Sequence, residues 1–297
     1  MTVKSRITMV STPRINIVSD VIDDIRLFLR YLNHPDYPGK KQVILKFYPT
    51  LSELLSHAGD EKTIVDTFVM DMYKRHHIYI KTITKALKEE VAKASSIFAL
   101  LDKIMNYANL GQIAFNARTT FLPFSPLTDG GFYLSIGRLP QDPRRLLFTA
   151  VHEISHHILL CQLHDWERNT GIIMNHPAVH YLKESVTGAI MDNPMFNQYF
   201  DYKELFNEDT YKGNIELHNF MVQHSNNTTV NIVTYVKQHL HTDESIPYKR
   251  KLHSLFLIFS NNQESFSNQW NIWNAWQTAS NDTELLTTYR KPIVLKE

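Results

Sequence analysis

Apolar residues recur every three or four positions over most of this chain and alternate in only a few short places. That pattern predicts an α+β fold that is predominantly helical. From Asp20, the residues Val21, Ile22, Ile25, Leu27, Phe28, Leu29 and Leu32 predict a helix, which Asn33-His34-Pro35-Asp36-Tyr37-Pro38-Gly39 breaks. Residues 1–19 before it read as irregular or extended. Gln42 to Tyr48 reads as a strand ended by Pro49. Helical spacing then predicts 50–58, 61–91 with a break near His76-His77, and 94–108. Adjacent histidines face different sides of a helix, so His76 and His77 are expected to be structural or solvated. Short strands are expected over 111–116 and 132–137, with Asp129-Gly130-Gly131 turning the chain between them. The strand at 132–136 is expected to be an edge that can hold an extended peptide by backbone hydrogen bonds.

The next segment, from Asp142 to Leu160, carries the chemistry. Asp142 suits an N-cap and Pro143 the first helical position, and no Gly or Pro follows until Gly171, a C-cap residue. Within this helix stands His152-Glu153-Ile154-Ser155-His156. Histidines four apart project from one face, one turn above the other, and two neutral imidazoles so placed can hold one Zn²⁺. Glu153 lies about 100° round from His152 and can reach a metal-bound water without ligating the metal. Buried, the three polar side chains would be left unsatisfied unless a metal or hydrogen bonds served them. His157 and Cys161 lie off the ligand face and are expected to pack structurally.

A second helix is predicted over 177–191, stopped by Asp192-Asn193-Pro194, and further helices over 201–207, 212–224, 228–241 and 247–278. Trp270, Trp273 and Trp276 recur every three residues, a stripe suited to packing. The expected division is a domain over 1–198, with the N-terminal helices, the small sheet and the metal-binding helices, and a helical lobe over 199–297.

Composition narrows the function classes. Of 297 residues, 43% are hydrophobic, enough for a sizeable core. The 31 basic and 30 acidic residues leave a net charge of +1, which argues against nucleic acid or an anionic membrane surface as partner. The single cysteine excludes an internal disulfide. No signal-like apolar run opens the chain and no segment reaches the length of a membrane span, so a cytoplasmic protein is expected, with signal-less secretion still open.

A catalytic zinc needs three protein ligands and an open position for water. A third histidine six residues after His156 would require Gly at 159 and His at 162, where Leu159 and Gln162 stand. Glu184, mid-way along the second helix with Gly188 one turn beyond, is the leading candidate for the third ligand. His180 follows, then His176, His164, Asp165 and Asp192, the last of which also suits a carboxylate that orients a ligand imidazole. With His152, His156 and Glu184 as ligands, the expected reaction is hydrolysis of a peptide bond, with Glu153 taking the proton from the attacking water. Tyr181, Tyr199, Tyr202, Tyr211, His218 and His224 are possible donors to the oxyanion.

These residues resemble zincin metallopeptidases of the gluzincin type, in which a His-Glu-x-x-His helix is followed by a glutamate ligand on the next helix. Arg145, Phe148, Thr149 and His152-Glu153-Ile154-Ser155-His156 are similar to the Arg-x-x-Phe-Thr-x-x-His-Glu-x-x-His stretch of ImmA/IrrE-like peptidases. The separation from His156 to Glu184 is also like theirs. The likeness spans about residues 131–194, and Val186, Thr187 and Gly188 stand where that family has Ala, Asn and Phe. It implies a zincin-like fold with a small sheet on the His-Glu-x-x-His helix, one zinc, Glu153 as general base, and a peptide or protein substrate. The alternative expectation is a non-catalytic zinc-containing regulatory or binding protein on the same scaffold. Such a site would recruit a fourth protein ligand, for which His180 is placed.

Overall fold

The structure, a computed structural model, describes residues 13–35, 38–57, 59–107, 110–128, 131–206, 222–225, 228–241, 245–279 and 293–294. It is α+β and mostly helical. Strand β1 (Arg14–Ser19) leads into α1 (Val21–Leu32), α2 (Pro38–Phe47), α3 (Pro49–Ser56), α4 (Glu61–Arg75), α5 (His77–Lys93) and α6 (Ser95–Met105). Strands β2 (Ala114–Thr120), β3 (Leu127–Thr128) and β4 (Gly131–Ser135) precede α7 (Pro143–Thr170) and α8 (His176–Met191). The chain continues through α9 (Pro194–Phe200), α10 (Tyr202–Phe206), β5 (Val222–Ser225), β6 (Thr228–Asn231), α11 (Ile232–His241), α12 (Tyr248–Asn261), α13 (Gln263–Ala279) and β7 (Ile293–Val294).

Two sheet expectations are corrected. Gln42 to Phe47 is not a strand but the body of α2. Its β-branched and aromatic residues fit either period. Buried Ile44 stands between half-buried Val43 and Leu45, and the exposed positions Gln42 and Lys46 recur after four residues rather than two, as on a helix. The strand is instead Arg14–Ser19, where half-buried Ile15 and buried Ile17 alternate with exposed Arg14, Asn16 and Val18. β1 pairs in parallel with β2, Arg14 opposite Ala114 through Ser19 opposite Thr119, and the sheet order is β1-β2-β4-β3. The strand at 131–135 is therefore interior and not an edge. β3 pairs with Gly131 and Phe132, Tyr133 N donates to Pro126 O (2.9 Å), and Ser135 N donates to Ser125 Oγ (3.0 Å).

Helix α1 is pinned across this sheet by two adjacent carboxylates. Asp23 accepts from Arg118 Nε (2.8 Å) and from the Tyr133 hydroxyl (2.7 Å). Asp24, almost wholly buried, accepts from the Thr120 hydroxyl and from Phe121 N (2.9 Å). Burial pushes the Asp24 carboxyl up to about 7, against the pull of these hydrogen bonds.

Helix α7 begins and ends as its residues predict. The Asp142 carboxylate accepts from Arg144 N (2.8 Å), Pro143 is the first helical residue, and Gly171 closes the helix at φ 73° with its N–H on Glu167 O (2.8 Å). It runs through the interior, packed by α5, α6, α8 and β4, and buries Leu147, Val151, Ile154, Ile158 and Leu159. Asn175 caps α8 by accepting from Ala178 N (2.9 Å), and Asp192 ends that helix. Helices α11 and α13 pack on α8, and α13 also meets α2. Tyr181 of α8 stacks on Phe266 at 5.0 Å, and Phe266 on Phe259 at 4.3 Å, so the apolar core continues into the last helices.

The break expected near His76-His77 falls at His76, which ends α4 and precedes α5. The helix expected over 247–278 is divided at Asn262 into α12 and α13. The helix expected over 228–241 begins only at Ile232, because Thr228–Asn231 pairs antiparallel with Val222–Ser225. The helix expected over 212–224 lies outside the described residues except at 222–224, which is strand. Trp270 packs as expected against its neighbours, while the Trp273 and Trp276 side chains lie outside the described residues. Among the described residues no helix is long and apolar enough to cross a membrane.

Candidate metal centre

The centre is assembled where α7 passes α8. His152 and His156, one turn apart on α7, bring their rings to 4.4 Å between centroids, edge to face. One ligand-type atom each from His152, Glu153 and His156 lies within 4.8 Å of the others. From α8, Glu184 reaches both imidazoles: Oε1 stands 3.4 Å from His156 Nε2 and Oε2 stands 3.7 Å from His152 Nε2. Atoms bound to one tetrahedral zinc stand roughly 3.3–3.6 Å from one another, so the three side chains fit a shared ion with little movement.

The protonation states also suit a cation. Burial would lift the Glu184 carboxyl. The charge and hydrogen bond of His156 oppose it, with Lys183 and His152 adding to them, and hold the group well below the usual carboxylate range. Burial lowers His156 against the pull of Glu184, so the pair shares a proton in the metal-free site, and an ion bound there would displace it. Its Nδ1 lies 2.9 Å from Thr187 Oγ1. A His156 that ligates through Nε2 carries its proton on Nδ1 and donates it to that hydroxyl, which fixes the ring's orientation.

Glu153 is buried beside the ligands. Burial, with the repulsion of Glu184 and against the attraction of Lys183, pushes its carboxyl up to about 8. That value belongs to the metal-free protein; a dication held by the neighbouring side chains would lower it and favour the carboxylate that a general base needs.

Of the other sequence candidates, His180 stands near enough to the centre to feel the charges of Glu184 and His156. His180 stacks on Trp270 (5.2 Å, 8° between planes), and its Nε2 meets His176 Nε2 at 3.1 Å. His164 is exposed, Asp165 pairs with Arg168 (3.6 Å), and Asp192 pairs with Lys237 Nζ (2.8 Å) at the end of α8. His157 packs edge-on against Phe115 (5.2 Å), 3.6 Å from the Cys161 sulfur, which agrees with a packing role for both.

The expected oxyanion donors are corrected in the same way. Tyr181 is sealed in the aromatic core, Tyr202 donates to Met191 O (2.6 Å), and Tyr199 is exposed on α9. Tyr211, His218 and the His224 side chain lie outside the described residues.

Four residues that sequence reasoning missed surround the cluster. Lys183 Nζ is 3.7 Å from Glu184 Oε1. Thr187 supports His156. Lys40, on the helix misread as a strand, holds its ammonium 4.6 Å from the Phe124 ring centroid; burial lowers its pKa against the pull of Glu184. Tyr31 of α1 packs edge-on against the same ring (5.1 Å) and feels the charge of Glu153. Spacing from Glu184 was a usable signal for Lys183 and Thr187. Nothing in the sequence ties Tyr31 or Lys40 to residues more than a hundred positions away. No protein-family model, curated protein or solved structure matches the chain.

Proposed function

We propose that this protein is a zinc-dependent metallopeptidase of the zincin type, hydrolysing peptide bonds of a peptide or protein substrate. The observation that carries the reading is the approach of Glu184, from a separate helix, to both imidazoles of the His-Glu-x-x-His turn, with Glu153 buried beside them. His152, His156 and Glu184 would hold the ion. When bound, zinc acidifies a water and polarises a carbonyl. The Glu153 carboxylate takes the proton of the attacking water and delivers it to the leaving amine nitrogen. Lys183, 3.7 Å from Glu184, is the nearest cation that could meet negative charge growing on the substrate oxygen, with Tyr31 and Lys40, which feel Glu153 and Glu184, as further donors. Thr187 keeps the His156 ring in register while the charge of the site changes.

A general base has no use in a purely structural zinc site, so Glu153 separates this reading from a non-catalytic zinc protein. Metal analysis and cleavage of a mixed peptide library, in the wild type and in Glu153→Gln, test it. The expected result is one zinc per chain in both proteins and new peptide termini from the wild type alone. A zinc-loaded wild type that cuts nothing the variant spares overturns the peptidase reading and leaves a zinc-holding scaffold.

A further inference from the structure

A groove of about 840 Å³ lies away from the metal centre, beside β1. Three consecutive strand residues, Ile17, Val18 and Ser19, line it. Ser19 Oγ meets Thr84 Oγ1 of α5 at 3.3 Å and Thr119 of β2, so α5 packs on the face that carries Ile17 and Ser19; Val18 points to the other face, so a groove that also touches it opens at the outer margin of β1. β1 is the end strand of its sheet, and among the described residues no strand pairs with it on the outer side. The facing wall is α5, from which Lys81, Lys85 and Lys88 reach the groove from one helical stripe. No acidic residue lines the groove. Glu89 meets Lys85 only at 3.9 Å in an exposed pair, which neutralises little.

We propose that this groove binds an extended, acidic segment of a partner protein, which adds to the sheet beside β1 with its carboxylates toward the lysines of α5. The strand margin supplies backbone pairing, which recognises any extended chain, and the lysine wall supplies the preference for acidic side chains. Residues 1–12, which precede β1, contain Lys4 and Arg6 and no acid, so their charge does not complement the lysine wall. The site shares no residue with the metal centre, so it stands whether or not the protein is a peptidase.

The test uses the full chain and a fluorescein-labelled octapeptide of alternating Glu and Val, read by polarisation. Its controls are the Lys-for-Glu peptide and the same acidic peptide N-methylated at alternate backbone nitrogens. The acidic peptide is expected to bind, the lysine peptide and the N-methylated peptide to bind at least about tenfold more weakly, and added salt to weaken binding. Lys81→Glu/Lys88→Glu is expected to lose roughly tenfold in affinity, about 0.7 kcal/mol for each reversed charge, with an unchanged melting temperature. Absence of binding up to roughly 1 mM overturns the proposal. So does equal binding of the N-methylated peptide, which would remove strand addition, or an affinity unmoved by the double reversal. Sedimentation adds a last arm: a dimer that the acidic peptide cannot dissociate would give the strand margin to a second copy of the chain and overturn the assignment.

Discussion

Asp24 should make the metal-free protein less stable as pH rises from about 4 to about 7. Its carboxyl moves from 3.8 in the unfolded chain to about 7 in the folded one, because burial disfavours the anion more than Thr120 and Phe121 support it. The folded state therefore holds a proton that the unfolded state has released. The stability Asp24 contributes is complete below pH 4 and is lost as pH climbs through 7. Three units at about 1.4 kcal/mol each give roughly 4 kcal/mol for the whole window. Asp24→Asn keeps an acceptor for Phe121 N and turns an N–H₂ toward the Thr120 hydroxyl, so it should fold, at a cost of about 1 kcal/mol. Urea unfolding of both proteins in EDTA at several pH values across the window measures the effect. Other carboxyls cancel in the difference between the two proteins. That includes Glu153, whose rise to about 8 has the same sign. The wild type should lead at pH 4 and lose that advantage by pH 8. A difference that is flat with pH, or that widens toward pH 8, would refute the argument that burial dominates at Asp24.

At zinc about a hundredfold above its dissociation constant, the ion should stabilise the wild type by roughly 2.7 kcal/mol, a rise in Tm of roughly 4–5 °C that EDTA reverses. Glu184→Gln should lower the metal-free Tm, because buried His152, His156 and Lys183 lose their carboxylate partner, and should abolish the rise measured from that lower value; an undiminished rise would remove Glu184 from the ligand set. Thr187→Val, close in shape but without the hydroxyl that meets His156 Nδ1 at 2.9 Å, should weaken zinc 10- to 100-fold in a competition titration, as about that much follows loss of a ligand's hydrogen-bond partner. Phe259→Ala empties a fully buried position between Tyr181 and Phe266 and should remove about 3–5 kcal/mol, seen calorimetrically as a fall in Tm on the order of 10 °C.

Much of the centre was legible along the chain because its geometry is local. Asp142, Pro143 and Gly171 delimit α7 through capping rules that act within a few residues, and a four-residue spacing on a helix stacks His152 on His156 whatever surrounds them. The helical run around Glu184 needed no more than the caps at Asn175 and Asp192. Helical periodicity likewise marked α1, α4 and α5.

Choices between equal local options were left to tertiary packing. Gln42 to Phe47 has residues suited to a strand, and only burial of Ile44 against neighbours distant in sequence makes it helix. Whether β4 is an edge depends on the 122–128 loop folding back along it, which the strand's own residues do not record. The same holds for the surroundings of the metal centre. Tyr31 and Lys40 come to Glu153 and Glu184 through the packing of α1 and α2 on the body of the fold. Short-range stereochemistry determined the stacked pair of His152 and His156 from the sequence alone; long-range burial decided which charges and hydroxyls stand around it.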